Sequence, residues 1–116
     1  MTPLEMVREY VSVSQQPISQ KMSLNLICEE FEEWVGEMQK NVSLEEELKE
    51  LADLTYVIYG YANAMGWDMD EALSRLHANN MGRMKQDDGT ILRREDGKVL
   101  KNKNFPKINL KDLTDV

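Results

Sequence analysis

Five consecutive residues, Glu29-Glu30-Phe31-Glu32-Glu33, are followed after a spacer of sixteen by Glu50-Leu51-Ala52-Asp53. Carboxylates in pairs three apart share one side of a helix. Two such helices side by side, in the hand that brings those sides together, would gather four acids at one place. Four like charges repel strongly unless a cation neutralises them. A hard divalent cation takes oxygen ligands, and Mg²⁺ in particular keeps waters and bridges to phosphates rather than filling its shell from protein. The chemistry indicated is that of a phosphate ester or anhydride. The competing reading is a glutamate-rich helix surface that is simply solvated.

The elements that carry these acids are legible as apolar stripes. With Phe31 at the centre of a helical face, Leu24, Ile27, Cys28, Trp34, Val35 and Met38 fall within roughly 60° of it, an expected core stripe. Glu30 lies about 100° to one side, with Glu33 and Glu29 continuing round that side and Glu32 on the other. A second stripe, centred on Leu51, collects Leu44, Leu48, Leu54, Thr55, Ile58, Ala62 and Met65. On it Glu50 and Asp53 take the angular positions of Glu30 and Glu33.

The pattern predicts a first helix over 3–13, opened by Pro3 and ended by Gln15-Gln16-Pro17. A second runs from about 19–23 to 40, a turn covers Asn41 to Ser43, and a third runs from about 44 to 65. Ser43 with Glu46 has the form of a capping box, and Gly66 suits a left-handed helix end. The short turn makes the second and third helices antiparallel neighbours. A fourth helix is expected over about 69–84, with His77, the single histidine, read as a packed or surface residue rather than a ligand. Beyond Lys85 the periodicity stops. Asp88-Gly89 and Asp96-Gly97 mark turns, with a small hairpin centred on residues 95–97 and an extended arm from Asn102 onward. The fold expected is all-α, an antiparallel helical bundle completed by homo-oligomerisation, with residues 1–84 as the helical domain and 85–116 as a basic, extended C-terminal arm of the same domain.

Composition narrows the function. A chain of 116 residues has room for one modest core, and a helical chain this short commonly completes it by association. The net charge of −7 excludes a general nucleic-acid binder, which needs a basic surface. The charge is uneven: residues 1–82 hold five Lys or Arg against fifteen Asp or Glu, and 83–116 hold nine against six. A basic tail beside an acidic cluster suits an anionic substrate held through a cation. The lone Cys28 forms no internal disulfide and reads as a small core residue. With no apolar run of spanning length and no signal-peptide pattern at the start, the expectation is a soluble cytoplasmic protein without a membrane partner.

The pattern Glu29-Glu30-x-x-Glu33 … Glu50-x-x-Asp53 resembles the all-α nucleoside triphosphate pyrophosphohydrolases of the MazG type. The resemblance extends through residues 51–60, then Asp70-Glu71-Ala72-Leu73, then His77-Ala78-Asn79-Asn80-Met81-Gly82-Arg83-Met84, and Asp96-Gly97-Lys98-Val99-Leu100-Lys101 is similar to the tail of the small, single-domain phage and bacterial members. It implies that Glu30, Glu33, Glu50 and Asp53 bind Mg²⁺ or Mn²⁺ and that Glu29 positions and deprotonates the attacking water. The implied reaction cleaves a nucleoside triphosphate between the α and β phosphorus atoms, giving the monophosphate and pyrophosphate, with no covalent intermediate. Asn80, Arg83, Lys98 and Lys101 are the residues it offers to the phosphates, against a reading of ordinary surface charge. Arg83 departs from the Lys of many relatives, and the tail around Phe105-Pro106 is less proline-rich than theirs.

Base selection is less legible. Met22 and Leu26 lie on the acidic side of the second helix, facing either a base or a partner helix, with Asn25 beside them as a polar reader; dimer packing is the simpler reading. A deoxynucleotide is the substrate preferred from the resemblance to compact phage-type members. Phosphoribosyl-ATP ranks below it, and a non-catalytic acidic module that binds a basic partner is the alternative outside enzymology.

Overall fold

Thr2 begins the first helix by a reciprocal cap. Its hydroxyl accepts from the Glu5 amide at 3.2 Å and its own amide donates to Glu5 Oε1 at 2.9 Å, while Pro3 stands where a missing N–H costs nothing. In the computed structural model, which describes residues 1–41 and 43–115, this is α1, Pro3–Ser14. Four further helices follow among the described residues: α2 Gln20–Lys40, α3 Leu44–Ala64, α4 Met69–Arg83 and the four-residue α5 Lys111–Thr114. The all-α expectation holds. Val42 of the predicted 41–43 turn and Val116 at the end of the arm lie outside the described residues.

The boundaries follow local chemistry. Gln15 takes a left-handed conformation and closes α1, and Ser19 and Ser43 each cap the next helix by accepting from the amide three residues on. At Ser43 the hydroxyl half of the expected box is the half that forms among the described residues. Gly66, at φ 75°, turns the chain out of α3, and the Trp67 amide reaches back to the Ala62 carbonyl at 2.9 Å. This is the satisfaction of end carbonyls that a glycine terminus permits.

The chain divides into two compact units, Met1–Asp70 and Glu71–Val116. In the first, α2 lies along α3 and α1 packs on α3 as well. The fully covered core sits at the α1–α3 contact, where Leu4 (1% exposed), Val7 and Tyr59 meet, flanked by Val11 and Met69. Tyr10 and Tyr56 meet edge to face, with ring centroids 5.9 Å apart, beside it.

The stripe centred on Phe31 is not the buried face of α2. Phe31 is 51% exposed, and Leu24, Met38 and Cys28 are exposed as well. Partly covered positions include Leu26 and Glu30 together with Ile27, Trp34 and Val35 from one side of the stripe, so the face shielded from solvent is rotated toward Glu30. On α3 likewise Leu44, Leu48 (67%) and Leu51 stay open to solvent. Against α3, α2 covers the side that includes Glu30, and although α3 is also met by α1, each helix keeps apolar stripe residues unpartnered among the described residues. Cys28 is therefore not a core residue of the single chain.

In the second unit the expected hairpin forms. Strands β1, Leu92–Arg93, and β2, Val99–Leu100, pair antiparallel with Leu92 opposite Leu100, and Gly97, at φ 92°, takes a turn conformation that only glycine adopts freely. The stretch after it carries more structure than an extended arm. Asn102, 6% exposed, donates from Nδ2 to the Lys85 carbonyl (3.1 Å) and to Asp87 Oδ1 (2.8 Å), and its Oδ1 accepts from the Asn104 amide. The Phe105 ring lies so close to Gly82 that any Cβ there would collide with it. The helix α5 is the element the sequence pattern missed. Four residues show no periodicity; Asn109 Oδ1 accepts from the Lys111 amide at its start, and Arg75 grips Asp112 with two bonds of 2.6 and 2.9 Å.

Candidate metal centre

Glu30 on α2 and Glu50 and Asp53 on α3 each place a carboxylate oxygen within 4.8 Å of the others. The arrangement follows from spacing. Glu50 and Asp53 are three apart and so lie one above the other on α3, and the covered side of α2 presents Glu30 to them. One oxygen each of Glu30 and Glu50 is buried without any hydrogen-bond partner among the described residues. A buried carboxylate oxygen with no donor is costly.

The electrostatics carry the same strain. Burial pushes the Glu30 carboxyl above the usual glutamate range, and Glu33, then Asp53 and Glu50, push it further. Glu50 is likewise raised by burial; Lys49 pulls it back, and Glu33 and Asp53 add to the rise. Glu33 thus acts on both, so the four acids of the two sequence pairs feel one another. Glu29, on the same helix, is exposed and outside the three-acid cluster.

Lys49 is the residue that sequence reasoning passed over. Its Nζ lies 2.7 Å from Asp53 Oδ2 and 3.6 Å from Glu50 Oε1, and these two acids hold its ammonium well above the usual lysine range, Asp53 foremost. The signal was available: a Lys four residues before an Asp on a helix makes an ion pair. A single exposed lysine does not supply hydrogen bonds to the orphaned oxygens of Glu30 and Glu50. An all-oxygen set with two unpartnered buried members fits a hard divalent cation.

The residues expected at the phosphates lie in the second unit. Lys101 Nζ donates to Asn80 Oδ1 at 2.9 Å, so these two are brought together. Arg83 is half-buried with its Nε covered and unpartnered, and its carbonyl accepts from the Asn102 amide at 2.7 Å. Lys98 is exposed; its amide donates to Asp96 Oδ1 in the hairpin turn. His77 is exposed, and Asn25 is exposed too.

An all-α chain whose two central helices set acids from Glu-x-x-Glu and Glu-x-x-Asp pairs against each other defines the class, that of the MazG-like all-α superfamily. Within it, the sequence model of the phosphoribosyl-ATP pyrophosphohydrolase family matches residues 8–80, and the chain belongs to that family. The membership supports a nucleotide pyrophosphohydrolase activity. No curated protein matches the chain. None of its described helices is long and apolar enough to cross a membrane.

Proposed function

We propose that the protein is a Mg²⁺-dependent pyrophosphohydrolase, able to use Mn²⁺, that cleaves a nucleoside triphosphate, preferentially a deoxynucleotide, to the monophosphate and pyrophosphate. The observation that carries this reading is the cluster of Glu30, Glu50 and Asp53 with two buried, unpartnered oxygens. Glu30, Glu33, Glu50 and Asp53 would hold the cation. When bound, it supplies positive charge to the phosphate oxygens and acidifies coordinated water.

The chain's own residues account for the rest. Glu29, exposed beside Glu30 on α2, takes a proton from the attacking water as its oxygen bonds to the α phosphorus. The bond from that phosphorus to the bridging oxygen breaks, and pyrophosphate leaves with the electron pair. Asn80, Arg83, Lys98 and Lys101 are assigned to the outer phosphates, where charged donors are strongest. The unpartnered apolar residues of α2 and α3 support a homodimer or homotetramer. No nucleic-acid polymer is expected as a partner.

The test is release of pyrophosphate and monophosphate from dNTPs, NTPs and phosphoribosyl-ATP, with Mg²⁺ or Mn²⁺ and with EDTA. Turnover that EDTA abolishes and that Glu30→Gln removes without loss of helicity supports the reading. Turnover unaffected by EDTA overturns it. Phosphoribosyl-ATP is the second substrate reading, favoured by the matched family. Salt-sensitive binding of a basic protein with no turnover of any nucleotide would favour the acidic binding module instead.

A further inference from the structure

The acids carry more negative charge than one divalent cation cancels. Glu30, Glu50 and Asp53 converge, and Glu33 is close enough to act on Glu30; ionised, these carboxylates outweigh the two positive charges of such an ion. A phosphate drawn to the cation therefore also meets uncancelled acid behind it, and like charges at that range repel. A further positive charge fixed at the same place removes the conflict.

The first unit contains four Lys or Arg: Arg8, Lys21, Lys40 and Lys49. Lys40 pairs with Glu37 at 3.1 Å, at the end of α2. Among the described residues Lys49 alone is paired with members of the cluster, Asp53 at 2.7 Å and Glu50 at 3.6 Å. Its side chain is 61% exposed, so the ammonium stands at the rim of the cluster, where solutes reach it. Asp53 also lines a cavity of about 330 Å³, and no Lys, Arg or His stands in that wall to supply the charge from the other direction. The cations assigned above to the phosphates, Arg83, Lys98 and Lys101, belong to the second unit, and Lys101 is engaged by Asn80.

We propose that Lys49 is a phosphate ligand: its ammonium gives up Asp53 Oδ2 to the cation and donates instead to an oxygen of the pyrophosphate that the reaction releases. The inference rests on the pyrophosphohydrolase reading for the presence of a triphosphate at the acids. A lysine ammonium is a compact charge with three donors on a flexible four-carbon stem, so it changes partner by rotating the stem while the helix stays fixed. The pyrophosphate end carries most of the charge of a triphosphate. It gains more as the bond to the α phosphorus breaks, so a charged donor there is strengthened in the transition state. Without substrate the pairing to Asp53 keeps the ammonium at the site.

The test compares wild type with Lys49→Gln and with Lys40→Gln. Glutamine is a good helix former at an exposed position, so both variants keep the helix. Binding of inorganic pyrophosphate at saturating Mn²⁺ is measured by calorimetry, Mn²⁺ binding alone is titrated in parallel, and kcat and KM are measured for the nucleotide that wild type turns over best. Lys49→Gln is expected to lower pyrophosphate affinity and kcat/KM each by about tenfold or more, the worth of a charge-assisted phosphate contact, without weakening Mn²⁺ binding. Lys40→Gln removes the same charge about 15 Å along α2 from Glu30 and is expected to change neither quantity appreciably. Pyrophosphate affinity unchanged in Lys49→Gln, with wild type active, overturns the proposal and leaves the pyrophosphohydrolase reading standing. So does an equal loss in Lys40→Gln, which reports net charge alone, and so does Mn²⁺ binding weakened as much as pyrophosphate binding, which reports support of Asp53. If wild type turns over no nucleotide, pyrophosphate binding decides. Mn²⁺-dependent binding that Lys49→Gln loses supports the phosphate ligand while the reaction fails, and absence of binding overturns both.

Discussion

Lys49 Nζ lies 2.7 Å from Asp53 Oδ2, one helical turn further along α3, and among the described residues this ammonium is the one cation paired with the acid cluster. It is 61% exposed, so its pairing is weakened by solvent and salt. A divalent cation entering the cluster competes with it for Asp53.

Lys49→Gln is accordingly expected to tighten Mn²⁺ binding, by about two- to tenfold at low ionic strength, with the gain shrinking as salt is added. Calorimetric titration in low and high salt checks this. Weaker binding in the variant would mean that Lys49 orients Asp53 as a ligand instead of competing for it.

The raised Glu30 and Glu50 carboxyls set a pH dependence. A carboxyl whose folded value exceeds its unfolded value binds more protons in the folded state. Its contribution to stability is complete below the unfolded value, about 4.3, and is lost as pH rises through the folded one. The Tm of metal-free protein should thus fall as pH climbs above that value toward neutrality. Added Mg²⁺ should reverse the fall, since the cation replaces the protons. Glu50→Gln should flatten the metal-free slope and diminish the Mg²⁺ effect. A melting series from pH 4.5 to 7.5 with and without Mg²⁺ tests all three, and a metal-free slope identical in Glu50→Gln and wild type would contradict the assignment. The lowered Asp87, Asp88, Asp96 and Asp112 act with the opposite sign, at pH below the ordinary aspartate value.

Phe31, half exposed on the outer side of α2, is the place to break an assembly. Phe31→Glu is expected to shift the particle to a smaller mass by light scattering, and to speed reaction of the Cys28 thiol on the same face several-fold. An unchanged mass, already that of one chain in wild type, would remove the case for an oligomer.

Asn102 ties the end of the hairpin region to residues 83–87 through three hydrogen bonds, counting the one from its amide to the Arg83 carbonyl, and its Oδ1 accepts a fourth from the Asn104 amide. Asn102→Ala removes the three that its side chain makes at a buried position, so a loss of about 2 kcal/mol is expected. Urea denaturation measures it. Turnover per folded molecule would distinguish this structural loss from a role at the phosphates.

The positions of the acids were legible because helical periodicity is a local property. Spacings of three within 29–33 and 50–53, with apolar residues between, place Glu30, Glu33, Glu50 and Asp53 on definite sides of α2 and α3 whatever the helices later meet. Caps at Ser43 and Gly66 were local as well, and so was the hairpin turn at Gly97. The Phe31 stripe misled for the converse reason. An apolar stripe states that something covers it, not which element of the same chain does so.

What the sequence by itself determined was the helices α1 to α4, their approximate ends and the pairing of carboxylates along each of two helices, all of which depend on contacts within a few residues. Only the tertiary structure decided that α2 turns its Glu30 side toward cover and leaves Phe31 and Cys28 outward, that Lys49 sits at the acids, that Asn102 is buried, and that a cavity adjoins Asp53. Each of these depends on residues far apart in the chain and on the burial they create. Desolvation and the convergence of charge arise between helices, so no single helix's sequence contains them.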